Sequence, residues 1–174
     1  DFYPGNFSAR FGRRTGGIIE VGVRDPATDG VQGVVDLNIP LDSSFLVEGP
    51  ISEDMGVMVA ARRSYFGEVF EAVVPQGLIS NLAAPVYTDY QAMLSYRPTS
   101  RDRLRLMSYG SLDGLQVLFS SVPNTDPGIR GVELDTAFHR VHASWKRLYS
   151  PKVDHNIELA YGRSDQEFSL GPQL

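Results

Sequence analysis

Apolar and polar positions alternate with a period of two along most of this chain. In 86–97 the even positions Thr88, Tyr90, Ala92, Leu94 and Tyr96 form an apolar and aromatic row. The odd positions Asp89, Gln91, Met93, Ser95 and Arg97 are mostly polar. In 138–149 one row holds His139, Val141, Ala143, Trp145, Arg147 and Tyr149, and the other Phe138, Arg140, His142, Ser144, Lys146 and Leu148. Segment 155–163 sets Ile157, Leu159 and Tyr161 against Asn156, Glu158 and Ala160. Segment 31–39 sets Val31, Val35, Leu37 and Ile39 against Gln32, Asp36 and Asn38. Side chains on a strand point alternately to its two faces, so each segment predicts a strand with one greasy and one polar side. Two less regular runs, 56–66 and 103–113, and the shorter Ser44–Gly49 complete a set of seven strands. No segment sustains a 3.6-residue period, and the best helical candidate is Tyr65–Val74.

The connections divide into two kinds. Ser52–Met55, Pro98–Asp102 and Ser150–Asp154 are short polar turns in which Pro, Asp or Ser ends a strand. Gly67–Pro85 and Gly114–Asp135 are long, and they alternate with the turns. An antiparallel sheet would therefore gather its turns at one end and its long loops at the other, although Pro40–Ser43 is short where a long link is expected. Amphipathic strands suit a soluble sandwich and an outer-membrane barrel alike. Short turns at one end with long loops at the other, an apolar outer face and a polar lumen are barrel features. Strands of about 9–11 residues cross a bilayer. Tyr65, Phe66, Tyr87 and Tyr90 near the long loops, and Tyr96, Trp145 and Tyr149 near the turns, stand where interfacial aromatic girdles would lie.

Composition narrows the classes. The 174 residues contain no Cys, which excludes disulfides, thiol catalysis and cysteine-based zinc sites. Lys and Arg number 16 against 21 Asp and Glu, for a net charge of −5, so no basic footprint for nucleic acid is present. The longest apolar run, Val57–Ala61, is far too short for a transmembrane helix. A hydrophobic content of 42%, with 9 Phe, 8 Tyr and 1 Trp, is too rich for a disordered chain. Asp1 stands where an initiator Met would be, and the chain closes at Gly171-Pro172-Gln173-Leu174, which reads as a piece of a larger protein.

The N-terminal stretch carries a more specific signal: Ser8-Ala9-Arg10-Phe11-Gly12, then Gly16-Gly17-Ile18-Ile19-Glu20-Val21, then Arg24. It resembles the end of the plug domain of TonB-dependent outer-membrane receptors, with Phe11, Gly12, Gly16, Gly17, Ile18 and Arg24 at the matching positions. Glycines let a plug backbone turn and pack in a crowded lumen. Phe45–Ile51, Ala61–Tyr65 and Val86–Gln91 look like early barrel strands of that family. The resemblance implies an all-β fold: residues 1–26 as the C-terminal end of a plug, and 27–174 as the first seven or so strands of a larger antiparallel transmembrane β-barrel. It places the protein in the bacterial outer membrane, with lipid and the TonB-ExbB-ExbD system as partners. The TonB box and most of the plug are not within this sequence.

Individual side chains add little chemistry. His139 and His142, three apart on a strand, point to opposite faces and make a poor metal pair. His155 beside a turn reads as solvated. Asp113, Asp135 and Glu53-Asp54 lack calcium-loop spacing. Arg62, Arg63, Arg103, Arg105, Arg140 and Arg147 recur beside apolar positions, either wetting a lumen and snorkelling at an interface or contacting plug carboxylates or an anionic ligand. Asn6-Phe7-Ser8 fits a glycosylation acceptor only by coincidence in a bacterial plug. No nucleophile elbow, phosphate loop or His-Glu-x-x-His occurs, so no enzyme, cofactor or metal is expected.

By resemblance, the function is energised uptake of a scarce nutrient such as a metal chelate, cobalamin or a glycan. Ligand contact is then expected on Gly67–Pro85 and Gly114–Asp135, since such sites are built on loops. Two alternatives stay open: a receptor-like barrel serving as scaffold or secretion partner among envelope-complex proteins, and a soluble β-sandwich adhesin or glycan-binding module.

Overall fold

A computed structural model describes residues 2–3, 16–19, 22–73, 81–119 and 131–171. In chain order the elements are β1 (Phe2–Tyr3), β2 (Ile18–Ile19), β3 (Gln32–Asn38), β4 (Asp42–Ser52), β5 (Met55–Ser64), α1 (Phe66–Val73), β6 (Asn81–Thr99), β7 (Asp102–Phe119), β8 (Gly131–Ser150) and β9 (Val153–Gly171). β1 and β2 form a small antiparallel ladder pairing Phe2 with Ile19 and Tyr3 with Ile18. The other seven strands make one all-antiparallel sheet in which every strand pairs with its neighbour in sequence, from β3 to β9. The chain is therefore all-β and antiparallel, as its alternation predicts. Among the described residues the sheet does not close, and β3 and β9 are its edges.

Register sorts the side chains, because residues directly opposite each other share a face. The rows Val57–Leu94–Leu106–Ala143–Leu159 and Val59–Ala92–Ser108–Val141–Tyr161 run unbroken across five strands. Val47, Phe45 and Val35 extend this apolar face onto β4 and β3. Among the described residues no second sheet covers it: Phe45 is 43% exposed, Tyr161 71% and Leu159 73%. The buried side chains Met58, Ala60, Met93 and Ser95 lie on the opposite, more polar face. Part of the N-terminal segment passes over this face: Gly22 and Val23 share a groove with Met93, and Asp25, Pro26 and Thr28 share one with Ser95.

The two-residue turns Glu53-Asp54, Ser100-Arg101 and Pro151-Lys152 all lie at one end of the sheet, with the register shifts of β4, β6 and β8 beside them. Asp102 organises that end. Its carboxylate accepts from the Thr99 hydroxyl (2.6 Å), the Trp145 indole N–H (3.0 Å) and the Arg147 guanidinium (3.2 Å). The His155 ring meets Trp145 edge-on at 4.7 Å and hydrogen-bonds Tyr149 at 3.0 Å. An aromatic band with polar tips thus rims the apolar face at the turn end. The link between β3 and β4 is short and contains a cis peptide at Ile39-Pro40.

Two features depart from the pattern-based expectation. β6, β7, β8 and β9 are 19, 18, 20 and 19 residues long, well beyond the alternating segments that mark them. The two expected loops are accordingly shorter: α1 and the start of β6 take part of Gly67–Pro85, and the ends of β7 and β8 take part of Gly114–Asp135. Residues 74–80 and 120–130 lie outside the described residues. The reason is a reversal of polarity. From the Leu112 row onward the face that was apolar carries Asp165, Asp135, Glu167 and Glu133, while Leu115, Leu134, Phe168, Val132 and Leu170 occupy the other. A continuous strand whose oily row changes sides looks like a strand that has ended.

Candidate functional site: an ionic clamp on the polar face

Residues 22–31 run across the polar face and are held by two acid–base contacts of opposite sense. In the first, Arg24 reaches from the segment to Glu48 on β4. Arg24 Nη1 donates to Glu48 Oε2 at 2.5 Å, Nη2 pairs with Oε1, and the Ala27 backbone N–H adds a bond to Oε2 at 3.0 Å. Glu48 is 4% exposed, so both its oxygens are satisfied from a segment distant in sequence. A two-pronged guanidinium–carboxylate pair of this kind fixes orientation as well as charge.

In the second contact the acid belongs to the segment and the bases to the wall. Asp25 receives Arg105 through Nε (2.7 Å) and Nη2 (2.6 Å) on Oδ1, and Arg97 and Arg103 both donate to Oδ2. Burial alone would push this carboxyl up, but hydrogen bonds from Arg103, Arg97 and Arg105 outweigh it and hold the pKa down at about 2. Pro26 is buried next to Asp25, seated on Gly56: a Cβ there would come within 3.2 Å of the proline ring. At Gly49 a Cβ would meet Val31 Cα at 2.9 Å, so glycine is what allows the chain to enter β3 this close to β4.

Of the residues matching the plug pattern, Phe11 and Gly12 lie outside the described residues. Gly16 has φ +98°, a conformation that favours glycine. Gly17 is exposed, and Ile18 pairs with Tyr3 across the β1–β2 ladder. Arg24 is brought to the main sheet, on Glu48. The recurring arginines all find partners. Arg103 and Arg105 take Asp25, Arg62 takes Asp89 at 2.7 Å and lies over the Tyr87 ring, and Arg63 takes Glu68 at 2.7 Å. Arg140 takes the Arg163 carbonyl at 2.6 Å, and Arg147 takes Asp102. His139 bonds the Tyr90 hydroxyl at 3.0 Å on the apolar face, while His142 sits 3.8 Å from Glu158 on the polar one.

Asp25, Glu48 and Arg97 are the site residues that patterning alone passes over. Glu48 had a signal, being an acid directly after the apolar run Phe45-Leu46-Val47, and such a residue, once buried, needs a cation. Asp25 had none beyond its neighbour Arg24. Comparison with family models, with curated proteins and with solved structures returns no match to this chain.

Proposed function

We propose that this chain forms part of the wall of an outer-membrane β-barrel of the TonB-dependent-receptor kind, with residues 1–26 as the last part of a plug held against its lumenal side. By that resemblance, the complete protein takes up a scarce nutrient across the bacterial outer membrane with energy delivered through TonB. One observation carries the reading: the oily side chains of a single sheet are left open on one face, while the N-terminal segment is clamped by charges to the other.

A soluble sandwich would bury that apolar face against a second sheet. A barrel leaves it to lipid and fills its interior with polar groups. On β7 the apolar face extends from Leu104 to Leu112, about nine residues, within the range a tilted strand uses to cross hydrocarbon, while on β9 the Arg163–Asp165 ion pair already stands level with Gly110 and Leu112. The Asp102–Trp145–Tyr149–His155 rim supplies rings with polar tips at one edge of this band. The reversed polarity beyond Leu112 fits strands that rise past the bilayer, with a wetted outer face. In hydrocarbon the edges β3 and β9 must be paired, so further strands complete the wall.

Trp145 is the only tryptophan and lies in the apolar row, which makes it a native depth probe. When the chain is refolded into vesicles of brominated phospholipids, its fluorescence is expected to be quenched, and most strongly by bromines near the headgroups. A monomeric, cooperatively melting protein in detergent-free buffer, with Trp145 untouched by brominated lipid, would overturn the assignment. Uptake, as distinct from a scaffold role, predicts a growth defect on deletion that depends on the supplied nutrient.

A further inference from the structure

Three guanidinium groups converge on the single carboxylate of Asp25, and the charge does not balance. The side chain of Asp25 is 14% exposed, whereas Arg97 and Arg103 remain 52% and 39% exposed. Each guanidinium carries five N–H donors, and between them the three arginines spend four donor groups on Asp25. Arg103 Nε is buried without a hydrogen-bond partner. Directly beside the clamp a groove of about 630 Å³ is lined by Val23, Arg103, Arg105, Tyr109 and Lys146, which adds a fourth cation. The acid in this groove, Glu158, faces His142 rather than the arginines. On the far side of Arg97 the exposed acids Glu53 and Asp54 stand at the turn and make no ion pair with it.

We propose that Arg97, Arg103, Arg105 and Lys146 form a binding site for a small dicarboxylate, and that Asp25 is the built-in occupant of one of its carboxylate positions. Both oxygens of Asp25 are gripped, one by Arg105 and one by Arg97 and Arg103, which is the way such forks read a carboxylate. One carboxylate of the ligand takes the place of Asp25, and the other reaches the donors of Arg103 and Lys146 in the groove. Because the same arginines cannot grip both acids, binding releases Asp25 and loosens residues 22–31 from the wall. The ligand and the segment compete, and the loss of Asp25 strengthens the ligand. This inference needs only the polar face and stands apart from the lipid assignment of the other.

The test uses the full chain in mild detergent, with succinate as the probe. Succinamide serves as its uncharged counterpart and sulfate as an inorganic anion. The chain has no Cys, so Thr28→Cys carries a single spin label next to the clamp. Succinate should mobilise the label in the otherwise unaltered protein, and succinamide should not. By calorimetry, Asp25→Asn should bind succinate at least tenfold more tightly than the parent, and adding Arg103→Gln to Asp25→Asn should abolish that gain. Equal succinate affinity of Asp25→Asn and parent, a label that succinate leaves immobile, or sulfate binding as well as succinate would each overturn the proposal. The label experiment needs no clamp variant, so a failure of Asp25→Asn to fold leaves the test intact.

Discussion

Arg24 and Glu48 are joined by two parallel ion-pair contacts, although 24 positions separate them in the chain. The carboxylate is buried and the guanidinium largely exposed, so the acid depends on the base far more than the reverse.

Glu48→Gln keeps the size and removes the charge. Its amide presents N–H groups to Arg24, and one of the two prongs becomes a clash of donors. The seven-stranded sheet, held by its own ladder, should keep its circular dichroism. Trypsin cleavage of the Arg24–Asp25 bond should speed up several-fold, because the segment lifts from the wall. Unchanged cleavage would mean that the pair does not hold the segment.

Asp25 predicts a pH dependence with a definite sign. Its carboxyl is held at about 2 in the folded chain against 3.8 for the free group, so the unfolded chain binds the proton first as pH falls. The contribution of the clamp is fully present above about pH 4 and is lost progressively as pH drops through 2. A spin label at Thr28→Cys should stay immobile from neutral pH to about 4 and gain mobility below that. In an Asp25→Asn background the label should be more mobile already at neutral pH, with the Arg24–Glu48 pair left as the segment's remaining tie. A transition centred at neutral pH would point to a different group.

Gly110 tests how the apolar face is built. A Cβ there would lie 2.6 Å from the Phe138 carbonyl oxygen, 2.9 Å from His139 Nδ1 and 2.9 Å from the Tyr90 ring. The carbonyl belongs to the neighbouring strand and cannot step aside. The Tyr90–His139 hydrogen bond spans the space the missing side chain leaves. Gly110→Ala should therefore cost about 1–3 kcal/mol in urea unfolding, as overpacking does. Gly22→Ala, where a Cβ meets nothing within 4 Å, should stay within about 0.5 kcal/mol of the parent.

Strand number and pairing order were legible in the sequence because each strand between Val31 and Gly162 keeps its oily row on one side for several residues. The turns at Glu53-Asp54, Ser100-Arg101 and Pro151-Lys152 were legible for a related reason: polar or proline residues interrupt a strong alternation there. Strand length was not, since Leu115, Leu134 and Phe168 continue the alternation on the wrong face. The site was half visible. Arg103 and Arg105 stand out as cations beside leucines, and carboxylate contact was one of the two roles open to them. Their partner Asp25 sits in a segment with no periodicity, and which acid crosses to which arginine is decided by the path of the chain over the sheet.

Val141 and Leu112 separate lipid contact from mere exposure. Both lie on the apolar face, and they are similarly exposed, 41% and 52%. Val141 is in the middle of the apolar rows, flanked by Ser108 and Tyr161, while Leu112 stands at the rim where acids begin. If water bathes that face, arginine at either position is a surface change and should shift stability by no more than about 0.5 kcal/mol. If hydrocarbon bathes it, the penalty depends on depth: about 2–4 kcal/mol for Val141→Arg near the midplane and about 0–1 kcal/mol for Leu112→Arg near the interface. Equilibrium urea titrations of the chain folded into phospholipid vesicles measure both. A large difference between the two variants is expected. Equal, small effects would remove lipid from that face and with it the barrel reading.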